Sequence, residues 1–410
     1  MKIWLPVLCL LACTALQAQQ DPETAELPGK PFYLKQAWTI GGEGNWDYLA
    51  LDPVALQLFI AHGTRVQVVD VKSGTVAGEI SGMREAHGIA LDDSGQFGYV
   101  SDGPASQVRV FDRRTFKVTA SLPTGPNPRA IVFEPQNKLV FAVSAQPQTP
   151  NPAKPGGAGP ANDRQAKSTV TVIDAQKVTV IATILLPGRL GFAQTGGRGR
   201  VYINVPDRNQ IASLDVSEIV SAIHDAQGSA QAPTAQPDTG VLLDWSVNPR
   251  PAQSSDPASG NPVRFLSAGP ECRDPRSLAV DAAHLRLFVA CGNMRMAVLN
   301  ATTGDQVAYF PIGPGADAIG FDADRQLIYT ANGGAEGSVT IIRQDVTDTY
   351  SVIQNLPTRR RARTLAVNSG TGDVYLVTDA QGVDLSRQGG IGTLKTVPVT
   401  GSFQVLVVGN

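Results

Sequence analysis

Apolar and polar residues alternate in short runs along most of the chain, and the runs recur in a fixed order. Seven segments share one pattern: a distinctive residue, alternating apolar positions, then usually an acidic or amide residue. They are Trp46–Asp52 (WDYLALD), Ala86–Asp92 (AHGIALD), Pro128–Glu134 (PRAIVFE), Gly188–Gln194 (GRLGFAQ), Pro275–Asp281 (PRSLAVD), Ala316–Asp322 (ADAIGFD) and Ala362–Asn368 (ARTLAVN). A turn and a second apolar run follow each: LQLFIAH, QFGYVSD, KLVFAVS, RVYINVP, LRLFVAC, QLIYTAN and DVYLVTD. Third runs such as RVQVVDV and QVRVFDR come next, and KVTASLP and KVTVIATI supply visible fourths. A period of two, bounded by Gly, Pro and Asp, predicts antiparallel strands, because successive side chains of a strand point to opposite faces.

The starts of the seven segments lie 40, 42, 60, 87, 41 and 46 residues apart. Four of these intervals match the roughly 40–45 residues of a four-stranded blade. The spacing therefore predicts an all-β fold, a seven-bladed β-propeller. The last unit stops one strand short, at Phe403–Val408, and Phe32–Ile40 (FYLKQAWTI) has no partner of its own. The N-terminal strand is expected to close the last blade and remove its open edge. One propeller domain is thus expected over 32–410, with insertions at 146–167 and 216–261. The first insertion and residues 228–261 are rich in Pro with Gly, Ala or Ser and read as flexible loops. Val216, Ile219, Val220 and Ile223 have helical spacing, so a short helix is expected over 216–226, with His224 solvated at its end.

The beginning of the chain breaks the pattern. Lys2 and the apolar run Ile3–Ala12 read as a signal peptide over 1–18, cleaved after Ala18, with a flexible segment over 19–31. Leu10-Leu11-Ala12-Cys13 also fits a lipoprotein box, which would place a lipid anchor on Cys13. Either reading puts the protein in the periplasm or outside the cell. No other apolar run approaches the ~20 residues of a membrane span. Of the four cysteines, Cys272 and Cys291 remain beyond the leader region. Cys272 precedes the first strand of blade five and Cys291 ends its second, so a disulfide is expected there.

Composition supports many tight turns: Gly is 41 and Pro 29 of 410 residues, and only 17% of residues are charged. The formal net charge is −2, or −3 without Lys2, which argues against a broadly nucleic-acid-binding surface.

LIYTAN, FGYVSD and TVTVIDAQKVTVIATI resemble the YVTN-type repeat of the YncE-like exported bacterial β-propellers. The resemblance covers about 32–410, although the tetrapeptide is degenerate here (YVSD, YTAN, FVAC). It implies an exported seven-bladed propeller, with single-stranded DNA binding proposed for some members. Related propellers include lactonases and the heavy subunit of methylamine dehydrogenase.

In a propeller, the loops entering first strands and leaving second strands share one face, around the central channel. Aligning the repeats gives an entry ring of Asp47, His87, Arg129, Arg189, Arg276, Asp317 and Arg363. Four Arg and two Asp sum to +2 and point to an anion-binding funnel, since the guanidinium fork suits carboxylate or phosphate. The competing reading is that these Arg and Asp pair with one another and close the mouth. Arg359, Arg360 and Arg361 share the entry loop of Arg363. A secondary rim is expected from the exit positions His62, Asp102 and Asn332. His62, His87 and Asp102 could also be read as a metal site, though a polar rim suffices, and no metal or cofactor is expected. HExxH, CxxC, CxxCH and a GxGxxG leading into a helix are absent. The reading is a non-catalytic exported scaffold that binds a small anion or a protein partner through its top face. The alternatives are a periplasmic enzyme of lactonase type, the propeller subunit of a dehydrogenase, and single-stranded DNA binding by family analogy.

Overall fold

The alternating runs form strands where the pattern places them. The computed structural model describes residues 30–145, 167–228, 240–246, 250–251, 262–383 and 396–410. The expected signal peptide, the segment 19–29, Cys13 and most of both insertions lie outside these residues. The chain divides into Met1–Lys30 and Pro31–Asn410, and the second unit holds every element below.

Seven sheets, each with a core of four antiparallel strands, form seven blades. In blade one, Trp46–Asp52, Gln57–His62, Arg65–Asp70 and Thr75–Ser81 pair in chain order. The third residue of each second strand is aromatic: Phe59, Tyr99, Phe141, Tyr202, Phe288, Tyr329 and Tyr375, none more than 3% exposed. These rings wedge between blades. Tyr99 of blade two, for example, shares a cluster with Ile131, Phe133 and Val140 of blade three. Burying a large apolar side chain contributes about 1.5–3 kcal/mol, so this one repeated position is a main source of blade-to-blade cohesion.

The acidic or amide residue ending the motif has a turn-forming role. Asp52 Oδ1 accepts the N–H groups of Val54 (3.0 Å) and Ala55 (2.9 Å), and Glu134, Asp281, Asp322 and Asn368 accept from their following turns. Such side chains replace the backbone partners a tight turn lacks. The same device recurs after third strands, at Asp70, Asp112, Asp174 and Asn300. In blade four it becomes a helix cap: Asp215 Oδ1 accepts from Ser217 (3.1 Å) and Glu218 (3.3 Å) at the start of a helix over Val216–Gly228. The helix runs two residues past its expected end and buries Val216, Ile219 and Ile223, while His224 is exposed.

Closure follows the expected route. Tyr33–Thr39 pairs antiparallel with Gln404–Gly409, which pairs with Asp373–Thr378 and through it Leu365–Asn368.

Three features differ from the sequence pattern. The insertion after the helix is more than a loop, because Val241–Asp244 adds a parallel fifth strand to blade three and Arg250–Pro251 adds one to blade four. Main-chain hydrogen bonding to a blade edge needs little side-chain pattern, and it covers edges that would otherwise be open. The first strands of blades four and seven begin late, at Ala193 and Leu365. In blade four the expected start, Gly188, sits at φ +89°, outside strand geometry. A small hairpin, Gln381–Val383 with Thr396–Pro398, intervenes in blade seven. Cys272 and Cys291 form a disulfide with Cα atoms 5.4 Å apart. Among the described residues no helix is long and apolar enough to cross a membrane.

Candidate binding site at the channel mouth

First strands enter their blades through β-bulges, and the bulges fall on the entry ring. The ladder skips between Trp46 and Leu49, Ala86 and Ile89, Pro128 and Ala130, Pro275 and Ser277, and Ala316 and Ala318. Asp47, His87, Arg129, Arg276 and Asp317 occupy those skips. A bulge kinks the strand and re-aims a side chain, which here frees the ring residues from the blade's own alternation. Gly88 shows how tight the inner edge is: a Cβ there would lie 2.6 Å from the Arg129 carbonyl oxygen.

Asp47, Arg129, Arg189, Arg276, Asp317 and Arg363 line one cavity of about 560 Å³. His87, the seventh member, is buried below them, with Nδ1 2.8 Å from Asp47 Oδ2. Asp274 also lines the cavity, so its charged side chains are four Arg and three Asp, formally +1 rather than +2.

Most of this charge is paired locally. Arg363 Nε lies 3.1 Å from Asp317 Oδ2, and its Nη2 donates to the Trp46 carbonyl (3.3 Å). Arg276 Nε donates to Asp274 Oδ2 (2.9 Å), and Arg189 Nη2 lies 4.0 Å from Asp274 Oδ1. Arg129 differs. It is exposed in the cavity, and its guanidinium has no hydrogen bond or ion pair among the described residues.

Burial raises the Asp317 carboxyl from its ordinary value; Arg363 opposes this, and Asp47 adds to it. Tyr48 and Phe192 form the cavity floor, with ring centroids 5.0 Å apart, and both also line a channel cavity of about 270 Å³ beneath. Burial, then Asp317 and Asp47, push the Tyr48 hydroxyl well above the usual phenol range, against Arg363 and Arg129.

The secondary rim residues lie elsewhere. His62 is 1% exposed, with Nδ1 2.6 Å from Gln67 Oε1 and its ring 3.9 Å from that of Phe403. Burial lowers its pKa, against the pull of Gln67. It lines a separate cavity of about 250 Å³ with Glu43 and Asp379. Asp102 accepts from the Arg84 and Glu85 N–H groups (2.9 and 3.1 Å) and pairs with Arg109. Asn332 donates to Ser338 and Thr340. Each satisfies its own blade and none lines the mouth. Among the described residues no three His, Cys, Asp or Glu converge as a metal-holding group, so His62, His87 and Asp102 are not brought together. In the basic loop, Arg359 bonds Gln404, while Arg361 makes two bonds to Asp379 (3.0 and 3.1 Å) and stacks over Trp46 at 4.4 Å.

Ten lining residues fall outside the predicted ring, among them Asp274, Tyr48 and Phe192. Tyr48 carried a signal. At the position after the ring residue, the other six repeats have Gly88, Ala130, Leu190, Ser277, Ala318 and Thr364, and only this one is aromatic.

No protein-family model matches the chain, and no curated protein matches it in sequence. Solved structures do match its fold. One, described as the structure of U3-55K, has a TM-score of 0.60 at 9% identity, over 92% of this chain and 98% of that one. Another, the crystal structure of RRP9 WD40 repeats, has a TM-score of 0.61 at 9% identity, over 92% and 97%. The chain has the seven-bladed propeller fold of WD40-repeat structures. At 9% identity the likeness extends to the fold alone, and the mouth has to be interpreted from its own residues.

Proposed function

We propose that this protein is an exported, non-catalytic propeller of the YncE-like kind that captures a small anion at the top-face mouth. One observation carries the reading. Arg129 is the ring arginine left without a carboxylate, inside a concave cavity where Arg189, Arg276 and Arg363 are held by Asp274 and Asp317. An unpartnered guanidinium in a partly desolvated cavity gains a charge-assisted, bidentate bond when an anion binds. The paired arginines position walls, so the pairing and binding readings of the ring describe different residues. A cavity of about 560 Å³ falls within the range of small-molecule sites, which favours a small molecule over a protein partner.

Export is supported by Lys2, the apolar run Ile3–Ala12 and the Cys272–Cys291 bridge, a bond typical of oxidising compartments. The YncE-like assignment is supported by the quoted repeats. The test is calorimetric titration of the protein with acetate, sulfate, pyrophosphate and an oligo-deoxythymidine, alongside Arg129→Gln. At least one small anion should bind, and at least about tenfold more weakly to the variant. Equal binding by both proteins would refute the site.

A further inference from the structure

We propose that the mouth takes an aromatic monocarboxylate, with its carboxylate on Arg129 and the Tyr48 hydroxyl and its ring on the Tyr48–Phe192 floor. This rests on the anion-site reading above and names the ligand class for the same cavity.

The charge balance selects one negative charge. The cavity side chains sum to +1, four Arg against Asp47, Asp274 and Asp317. A single carboxylate brings the sum to zero. A polyphosphate or a nucleic-acid strand would press extra charge against three carboxylates, and like charges in a partly desolvated space repel strongly.

The donor set suits a carboxylate. Arg129 offers two parallel N–H groups. The Tyr48 hydroxyl has no hydrogen bond among the described residues and lies within the field of Asp317, Asp47, Arg363 and Arg129. A phenol is protonated at neutral pH and burial pushes it further that way, so it serves as a donor. A hydroxyl without a partner in a partly desolvated cavity gains when an acceptor arrives.

The floor selects an aromatic group. Tyr48 and Phe192 are tilted by 46° at 5.0 Å, within the spacing at which aromatic rings attract, and they separate the mouth from the channel. Ala130, Val143 and Leu190 complete an apolar wall beside them. A flat ring on this floor displaces water from apolar surface, whereas acetate has nothing to cover it with.

The experiment is calorimetric titration of the full protein at pH 7 with benzoate, acetate, cyclohexanecarboxylate and pyrophosphate. It is repeated for Arg129→Gln and Phe192→Leu, whose folding is checked by thermal melting. Benzoate should bind at least about tenfold tighter than the other three. Phe192→Leu should bring benzoate down to the level of acetate, and Arg129→Gln should weaken every carboxylate. If Phe192→Leu fails to melt cooperatively, Tyr48→Leu replaces it with the same expectation. Acetate or cyclohexanecarboxylate binding as well as benzoate, with both weakened by Arg129→Gln, would overturn the aromatic class and leave the anion site standing. Pyrophosphate binding tighter than benzoate would overturn the monocarboxylate in the same way. Absence of any anion binding, or binding indifferent to Arg129→Gln, would overturn both.

Discussion

Arginine on this molecule acts by how it is paired, and two residues show the extremes. Arg113 is buried on the face opposite the mouth, bound to Asp52 and 3.7 Å from Asp92, so it ties blade two to blade one. Removing one partner of a buried pair strands charge, and Arg113→Ala should cost about 3–5 kcal/mol in urea unfolding. A cost below about 1 kcal/mol would mean that water replaces the guanidinium. Burial raises the Asp52 carboxyl, but the Ala55 N–H and Arg113 outweigh it, leaving its pKa below the usual value. That stability is present above the unfolded value of about 4 and is lost as pH falls through the folded value. Acidification should therefore destabilise the wild type more than Arg113→Ala. At the mouth the sign is opposite. Asp317 is raised, facing Asp47, Asp274, Arg276 and Arg363, so falling pH neutralises it and takes the cavity from +1 towards +2. Affinity for a carboxylate should rise as pH falls towards the raised Asp317 value, by up to about tenfold given what one nearby unit charge is worth. Asp317→Asn should bind tightly with no such slope, and a wild-type affinity flat over this range would contradict the coupling.

Elements owe their positions to devices of unequal visibility in the sequence. The two-residue period marks nearly every blade strand, because a pleated strand between two neighbours must alternate. The turn acids were visible as a motif ending, and Asp215 shows one of them extended into a cap. Asp215→Ala should lose about 1 kcal/mol and fray the Val216–Gly228 helix, seen as reduced amide protection in its first turn. The disulfide was visible from compartment and position. It closes 19 residues of blade five, so removing it by Cys272→Ser with Cys291→Ser should cost about 3 kcal/mol at the denaturation midpoint. No shift would imply that blade five is held wholly by packing. Asp274 was missed because it stands just before its strand, at φ +56°, where no period applies. The strands Val241–Asp244 and Arg250–Pro251 were missed because a blade edge recruits them through main-chain bonds. For His62, Asp102 and Asn332, position at a strand end was readable. Whether each faced the mouth or its own blade depended on turn geometry that the pattern does not encode.

The whole molecule is a closed ring, and its closure depends on one strand from the far end of the chain. Tyr33–Thr39 completes blade seven by pairing with Gln404–Gly409, which would otherwise be an open edge. The strand is also anchored on blade six. Gln354 accepts from the Phe32 N–H (2.9 Å) and donates to its carbonyl (2.8 Å), while the Phe32 ring packs edge-on against Tyr329 at 5.9 Å. The mouth is formed by residues from several blades at once, so its shape requires a closed ring. A chain beginning at Gly41 would lose six strand pairs and the buried Phe32, the ring alone contributing about 1.5–3 kcal/mol. The expected result is a protein that aggregates or melts well below the full chain and no longer binds anions through Arg129. A peptide spanning residues 31–41, added in trans, should restore part of both properties, because the edge that receives it is specific in register. Gln354→Ala separates anchoring from pairing. It should cost about 1–3 kcal/mol through the two lost bonds and leave anion affinity intact. If the truncated chain melts like the full one and binds equally, the ring is closed by packing between blades one and seven, and the N-terminal strand is dispensable to the site.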